Sequence, residues 1–318
     1  MSPFAKLRRV MLKIGVSLPA ISLLSPILGQ TVAGAAQQRL DRTFARRLLH
    51  DARSWGVQYQ NVDISILVES PLDLIVLDPS LNDSAGRFIS AQEMAALKRK
   101  PDGGRRLVIG YLCIGEADLK RWYWPPQWRS RLPAWVGPEN INWPGSRVVR
   151  YWDRRWQEMI VTGSASILSK IIDLGFDGVL LDRVDAYGDW DHNRTSARQE
   201  MIELVEKVAK TARQRHSGFL LIPQNAEHII ENESYRAVID AINKESLLTG
   251  LSGKDIPNRA TDVEWSLSRL RLGQAAGVRM LATEYLSNPN LRDRTNDQLV
   301  AWNFLPFFGV KALDKPPW

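Results

Sequence analysis

Eight short apolar runs are spaced along this chain, and helical segments lie between most of them. The clearest run, residues 178–181, is apolar without alternation, which is typical of a strand buried on both faces. Strands that alternate with helices form a parallel sheet, and eight such units close into a barrel. We therefore predict an α/β protein whose single domain is a (β/α)8 TIM barrel. The candidate strands are residues 56–62, 72–77, 107–114, 178–181, 219–222, 241–243, 278–282 and 304–310.

Helix boundaries are visible in the sequence between these runs. Ser196 is a candidate N-cap, with Gln199 at the capping-box position, for a helix that ends near Gly218. A second helix begins near Thr261 and stops at Gly277, since glycine readily takes the left-handed conformation that follows a helix. Both helices fit the strand and helix alternation of a barrel.

The beginning of the chain has the organisation of an export signal. Lys6, Arg8, Arg9 and Lys13 form a basic segment, an apolar stretch follows, and small residues close it at positions 33–35. The two adjacent arginines resemble a twin-arginine signal. The apolar stretch is interrupted by serine and proline, so it is too broken and too short to span a membrane.

We therefore predict a signal peptide over residues 1–35 and a mature domain over residues 36–318, secreted or periplasmic and without a stable membrane span. An uncleaved leader that tethers the protein is the alternative. Removal of the four basic residues lowers the formal net charge from +7 to 7 − 4 = +3, because no acid precedes Asp41. The basic composition is thus partly the leader's, and we expect no nucleic acid as a partner.

The one cysteine, Cys113, excludes a disulfide within the chain and is expected to be a small buried hydrophobe. We expect a monomer.

Polar side chains follow the candidate strands in the sequence. The carboxyl ends of the strands of a parallel barrel form the active-site rim, so we expect these side chains to meet there. A single acid in such a position is more often a solvated loop residue, whereas several on one rim favour a functional site. They are Tyr59, Asp63, Asp78, Glu116, Asp182, Asp185, Gln224, Asn225, Glu245, Glu284 and Tyr285.

Two carboxylates facing each other across a barrel mouth suit glycoside hydrolysis, in which one protonates the leaving oxygen and the other attacks or activates water. Burial and like-charge repulsion can raise the pKa of the acid member while the base stays ionised. Sugar rings also need flat apolar surfaces, which the tryptophan-rich segment after the third strand could supply. Packing of those rings against the side of the barrel is the alternative. The segment contains Trp122, Tyr123, Trp124, Trp128, Trp135 and Trp143.

Ordered blocks of this sequence resemble glycoside-hydrolase family 114. The most specific block is residues 175–187, in which an apolar strand ends at Asp182 and a second acid follows at Asp185. The family contains endo-α-1,4-polygalactosaminidases, and the resemblance extends over approximately residues 55–310. The other blocks are residues 55–63, the run that ends at Asp78, and residues 108–117, 223–227 and 243–247.

The resemblance implies a barrel hydrolase that cuts an α-1,4-linked polymer containing galactosamine or N-acetylgalactosamine. Asp182 matches the family's catalytic Asp and is assigned as nucleophile or base, and Glu245 matches its catalytic Glu and is assigned as general acid. Arg183 either keeps Asp182 ionised or points outward. A retaining or an inverting outcome stays open, because it depends on the separation of the two carboxyl groups. The expected substrate-binding and supporting residues are Tyr59, Asp63, Asp78, Tyr111, Glu116, Asp185, Tyr187, Gln224, Asn225 and Glu284.

Metal or cofactor chemistry is not expected from this sequence. The four histidines are scattered, and Asp189, Asp191 and His192 favour a solvated loop over a cation site. An esterase or deacetylase is not supported, because no Gly-x-Ser-x-Gly motif or metal motif is present. A noncatalytic saccharide-binding protein on the same barrel is the remaining alternative, although a pure binder would not need two opposed carboxylates.

Overall fold

The computed structural model describes residues 40–81 and 86–317. The predicted signal peptide, with its twin-arginine pair, lies outside the described residues. Eleven strands occur in the described part of the chain. They are β1 Trp55–Gln58, β2 Leu74–Leu77, β3 Leu107–Cys113, β4 Glu116–Asp118, β5 Val136–Glu139, β6 Ser146–Val149, β7 Gly178–Asp182, β8 Leu220–Pro223, β9 Ala241–Glu245, β10 Arg279–Glu284 and β11 Phe304–Phe308.

Eight of these strands run parallel and build the centre of the molecule. β1, β2, β3, β7 and β8 are hydrogen-bonded neighbours in that order, and β9, β10 and β11 form a second group. A parallel bridge between Gln224 and Asn243 joins the two groups. The indole Nε1 of Trp55 in β1 donates to the carbonyl oxygen of Leu305 in β11 at 2.8 Å. This order and these junctions are those of a (β/α)8 barrel, so the predicted fold class is confirmed.

The interior of the barrel is a hydrophobic core to which all eight parallel strands contribute. Because successive side chains of a strand point to opposite faces, Val76 lies in this inner core, whereas Ile75 joins the outer core beneath the helices. A barrel of eight strands is filled by its own side chains and has no channel. The inner residues are Trp55, Val57, Leu74, Val76, Leu107, Ile109, Leu180, Leu220, Ile222, Ala241, Leu281, Leu305 and Phe307.

Nine α-helices occur in the described residues, and none of them is long and apolar enough to cross a membrane. The first one packs Ala45 and Leu49 against the inner core and closes it. The helices are α1 Arg42–Asp51, α2 Ile64–Val68, α3 Ala91–Leu97, α4 Arg154–Gln157, α5 Ile167–Asp173, α6 Ala197–Arg215, α7 Glu233–Val238, α8 Ala260–Ala275 and α9 Pro289–Ala301.

The predicted boundaries of the two best-marked helices are met in part. α6 begins directly after Ser196, but the capping box does not form, and Gln199 instead donates to Glu203 at 3.2 Å. The reason is that Ser196 already has helical backbone angles, φ −82° and ψ −6°, whereas a capping side chain needs an extended backbone to reach the first amides. α8 ends at Ala275, and Gly277 follows with φ +77°, which confirms the predicted stop.

The tryptophan-rich segment packs into the outer core. Trp124 and Trp135 are buried, and Trp128 and Trp156 pack against them with ring centroids 5.0–6.2 Å apart. These rings therefore anchor the small antiparallel sheet of β4, β5 and β6 to the barrel side. The expectation that they line a sugar-binding cleft is wrong for this cluster, while Trp143 in the same segment is exposed.

Candidate active site

Asp182 ends β7 and is held by three hydrogen-bond donors. The Tyr111 hydroxyl donates to its Oδ2 at 2.6 Å, and the side-chain amide of Gln224 donates to its Oδ1 at 3.0 Å. The third donor is the backbone N–H of Arg183, at 2.8 Å, because Arg183 adopts φ +58° and the chain turns sharply after the strand. Gly115 allows this turn to pass close by, since a Cβ there would lie 2.3 Å from the Arg183 carbonyl oxygen.

The proton affinity of Asp182 is set by opposing influences. Burial, and next the negative charge of Glu245, raise its pKa from the usual 3.8 to about 6, although the hydrogen bonds from Tyr111 and from the Arg183 amide act in the opposite direction. The guanidinium of Arg183 pairs instead with Glu116 at 2.7 Å and lies 3.5 Å from Asp185. Of the two alternatives for Arg183, the structure therefore shows the side chain directed away from Asp182.

Glu245 ends β9, at the same rim as Asp182. The side-chain amide of Asn225 donates to its Oε2 at 2.9 Å, and the Tyr285 hydroxyl donates to its Oε1. The backbone N–H of Glu245 donates in turn to Asn225 Oδ1 at 3.0 Å. Asn225 thus fixes both the backbone and the carboxylate of Glu245, and it does so from a left-handed conformation, φ +57°, two residues after the end of β8.

Tyr59 lies among these groups. Its ring centroid is 4.3 Å from that of Tyr111, and its buried hydroxyl has no hydrogen-bond partner among the described residues. Burial, and then the charges of Asp182 and Glu245, raise the pKa of Tyr59 well above its usual value, so the hydroxyl stays protonated. Tyr59 is therefore a free donor beside both carboxylates.

A chain of side-chain hydrogen bonds behind Asp182 orients its amide partner. The Thr283 hydroxyl donates to Asn243 Oδ1 at 3.1 Å, and Asn243 donates to Gln224 Oε1 at 3.0 Å. Since that oxygen accepts, the amide nitrogen of Gln224 must face Asp182. Asn243 and Thr283 were not predicted as site residues, and the available signal was a polar side chain directly after the apolar residues of each strand.

Three of the predicted acids hold loops at the rim. Asp78 pairs with Arg121, whose guanidinium lies 5.2 Å from the Tyr111 ring centroid. Glu284 is buried and accepts from the Leu248 N–H at 2.8 Å.

Glu116 is the third, and its carboxylate fastens the small antiparallel sheet to the barrel. It accepts from Ser146 at 2.6 Å and from Asn140 at 2.9 Å, in addition to its ion pair with Arg183. Asp63 lies apart from this group: its exposed side chain caps α2 by accepting from the Ser65 N–H at 2.9 Å. Asp78, Glu116 and Glu284 thus hold loops of the rim in place, while Asp63 holds the start of α2.

A cleft of about 380 Å³ opens at Glu245. Asp185 and Tyr187, which follow β7 on a short 3-10 turn, form one part of its wall. Nowhere in residues 40–81 and 86–317 do three or more His, Cys, Asp or Glu side chains form a group that could hold a metal ion. The other lining residues are Asn225, Ala226, Glu227, His228, Lys244, Ser246, Leu251 and Trp265.

Comparison of this chain with known proteins identifies its family. The family model of glycoside-hydrolase family GH114 matches residues 36–254. The chain belongs to this family. An uncharacterised protein of Deinococcus radiodurans is 34% identical over 270 residues, covering 84% of this chain and 83% of that protein.

Two further similarities concern length and fold. An uncharacterised protein of Methanocaldococcus jannaschii is 33% identical over 193 residues, covering 59% of this chain and 54% of that protein, so this GH114 chain matches about half of that relative. The glycoside hydrolase domain of PelA from Pseudomonas aeruginosa has a TM-score of 0.63 at 18% identity, covering 83% of this chain and 97% of that domain. The second similarity shows a shared fold. Membership of GH114 makes the protein a glycoside hydrolase, with a carbohydrate as its substrate.

Proposed function

We propose that this GH114 protein hydrolyses an α-1,4-linked polymer of galactosamine and N-acetylgalactosamine by a two-carboxylate mechanism. The observation that carries the proposal is the pair of Asp182 and Glu245, which end β7 and β9 at one rim and are close enough for the charge of Glu245 to raise the pKa of Asp182. Each carboxylate is held by side-chain donors. Two such groups at the mouth of a barrel are the machinery of glycoside hydrolysis.

Asp182 is assigned as the nucleophile or base. Its three neighbours all donate to it, which favours the ionised form, and a pKa of about 6 leaves it ionised roughly ten to one at pH 7. A two-carboxylate mechanism pairs an ionised carboxylate with a proton donor, so the role of proton donor is left to Glu245. Glu245 also lines the open cleft, where a leaving oxygen would lie, and is assigned as the general acid.

The substrate class is supported by charge as well as by the family resemblance. The carboxylates of Asp185 and Glu245 line the cleft, and Asp182 lies close enough to Glu245 for the charge of Glu245 to raise its pKa. An unacetylated amino sugar is a cation at neutral pH, and local potential rather than net charge governs its capture. Tyr59, with its free hydroxyl, is positioned to donate to a sugar oxygen between the two carboxylates.

The test is release of reducing ends from a panel of galactosaminoglycans that differ in acetylation. The purified parent protein should cleave at least one of them, and Asp182→Asn and Glu245→Gln should each lose roughly 10²–10⁴-fold in rate while still binding the polymer. Asp63→Asn is the matched control, because Asp63 is a carboxylate that lies apart from Asp182 and Glu245 and its asparagine substitute still caps α2.

Each outcome separates the possibilities. A parent protein that binds these polymers but cleaves none would support the noncatalytic binder instead. If the Asp182 or the Glu245 variant keeps most of the parent's turnover, the substituted residue is not catalytic. If the parent retains the anomeric configuration, added azide distinguishes the two roles, because the azide product of a nucleophile variant and that of an acid–base variant have opposite configurations.

A further inference from the structure

The cleft does not stop at the carboxylates but runs outward from the barrel. Glu245 lies at its inner end on β9, whereas Trp265 lies on α8, in the helical layer. Trp265 is 46% exposed, although tryptophan usually buries most of its surface. A cleft wall that carries an exposed indole beyond the reactive groups is a surface on which a sugar ring can stack.

The indole is held in place before any ligand arrives. The guanidinium of Arg269 lies 4.1 Å from the Trp265 ring centroid, and Glu231 holds Arg269 through an ion pair of 3.0 Å. The imidazole of His228 meets the indole at an interplanar angle of 78°, with centroids 6.0 Å apart. Because these neighbours restrict the ring, a ligand that stacks on it would lose little side-chain entropy.

The charges around Trp265 differ from those at the inner end of the cleft. The carboxylate of Glu227 is already neutralised by Lys244 at 3.2 Å and accepts from Ser266 at 2.5 Å. Arg198 lies 3.3 Å from His228 and forms no ion pair with a carboxylate in the described part of the chain. The outer end therefore offers no uncompensated negative charge to an ammonium group.

We propose that the shelf formed by Trp265 and His228 is a binding subsite for an uncharged sugar residue, an N-acetylated hexosamine, further along the same polymer from the bond that is cleaved. The carboxylates at the inner end of the cleft then favour a cationic sugar residue, and the shelf at the outer end favours a neutral sugar residue. The protein would select chains in which acetylated and free amino sugars alternate over this distance. This proposal rests on the proposed function, and it adds a preference for a pattern of acetylation.

The experiment compares Trp265→Ala with Trp143→Ala. Trp143 is the matched control, because it is also 46% exposed but lies in the segment between β5 and β6, outside the cleft. On a partly N-acetylated polymer, Trp265→Ala should raise KM roughly tenfold with little change in kcat, the size expected for one lost stacking contact. Trp265→Phe should restore most of the affinity, and Trp143→Ala should match the parent.

A second experiment varies the degree of acetylation of the polymer. On a fully deacetylated polymer of the same length, the KM of Trp265→Ala should stay within about twofold of the parent's. An equal rise on both polymers, no rise on either, or an equal effect of Trp143→Ala would overturn the subsite.

Calorimetric binding of N-acetylgalactosamine oligomers to the parent and to Trp265→Ala gives a readout that does not depend on turnover. If no polymer is cleaved but Trp265→Ala still weakens oligomer binding roughly tenfold, the subsite stands while the proposed hydrolysis fails. If the polymers are cleaved but oligomer binding is the same in both proteins, the proposed hydrolysis stands and the subsite fails.

Discussion

The chemistry of the Asp182 carboxylate depends on neighbours that the sequence does not reveal as neighbours. Tyr111 lies on β3, 71 residues before Asp182, and Gln224 lies 42 residues after it, just past β8, yet both donate to this one side chain. Burial and the charge of Glu245 raise the pKa of Asp182 to about 6, although the hydrogen bond from Tyr111 lowers it. Below that pH the carboxylate takes up a proton and can act neither as nucleophile nor as base.

The pH profile therefore reports on Asp182. The parent's kcat/KM should fall as pH drops through about 6. Tyr111→Phe removes a donor that lowers the Asp182 pKa, so the acid limb should move to higher pH, by roughly one unit for a lost hydrogen bond to a charged group. Tyr123→Phe is the control, since the Tyr123 hydroxyl accepts from the Asp118 N–H and does not touch Asp182. If the acid limb of Tyr111→Phe stays in place or moves to lower pH, the limb does not report the titration of Asp182.

Strand ends made part of the site predictable. Asp182, Glu245, Gln224 and Asn225 stand at or just after strand ends, and the structure joins Asp182 to Gln224 and Glu245 to Asn225 by hydrogen bonds. Side-chain direction was not predictable, because it depends on backbone angles such as the positive φ of Arg183. That one angle turns the backbone amide toward Asp182 and the guanidinium toward Glu116.

At the scale of elements, the eight barrel strands could be predicted and the sheet inserted between β3 and β7 could not. Buried parallel strands stand out as apolar runs, but β5 has the sequence Val-Gly-Pro-Glu, which contains no such run. Its position depends on contacts from outside the segment, among them Trp135 against Trp156. Long-range packing of this kind leaves no local periodicity in the sequence.

Another element-level feature is a buried arginine that joins the ends of two helices. Arg106 is fully buried and donates to the carbonyl oxygens of Leu67 at 3.1 Å, Leu72 at 2.9 Å and Leu97 at 2.8 Å. α2 and α3 end at this point, and the last carbonyls of a helix have no partner within it. A planar guanidinium with five donors can satisfy several carbonyls at once.

Arg106→Lys should therefore lower the free energy of unfolding by about 3 kcal/mol, because a lysine has fewer donors and leaves buried carbonyls unpaired. The midpoint of urea unfolding measures this loss. Arg99→Lys, at an exposed position nearby, should leave the midpoint unchanged. Equal midpoints for the two variants would mean that the carbonyl contacts of Arg106 contribute nothing to stability.

At the scale of the whole molecule, the candidate catalytic residues lie at one end of the barrel, and contacts that stabilise the fold lie at the other. The carboxyl ends of the strands carry Asp182 and Glu245, whereas α1 closes the opposite end. Asp240, just before β9, is fully buried there and pairs with Arg213 at 2.7 Å, Arg42 at 3.2 Å and Arg46 at 3.4 Å. One carboxylate thus ties the first helix of the domain to α6 and to the barrel.

Asp240→Asn tests this separation. Loss of the shared carboxylate leaves arginines without their partner in a buried setting, and breaking a buried ion pair typically costs about 3–5 kcal/mol. The melting temperature should therefore fall markedly, while kcat/KM well below that temperature should match the parent's, since Asp240 lies at the end of the barrel away from the cleft. Asp173→Asn, which removes an exposed partner of Arg215, should change neither quantity. If Asp240→Asn instead lowered kcat/KM in the fully folded protein, the two ends of the barrel would be coupled, and α1 would contribute to the geometry of the active site.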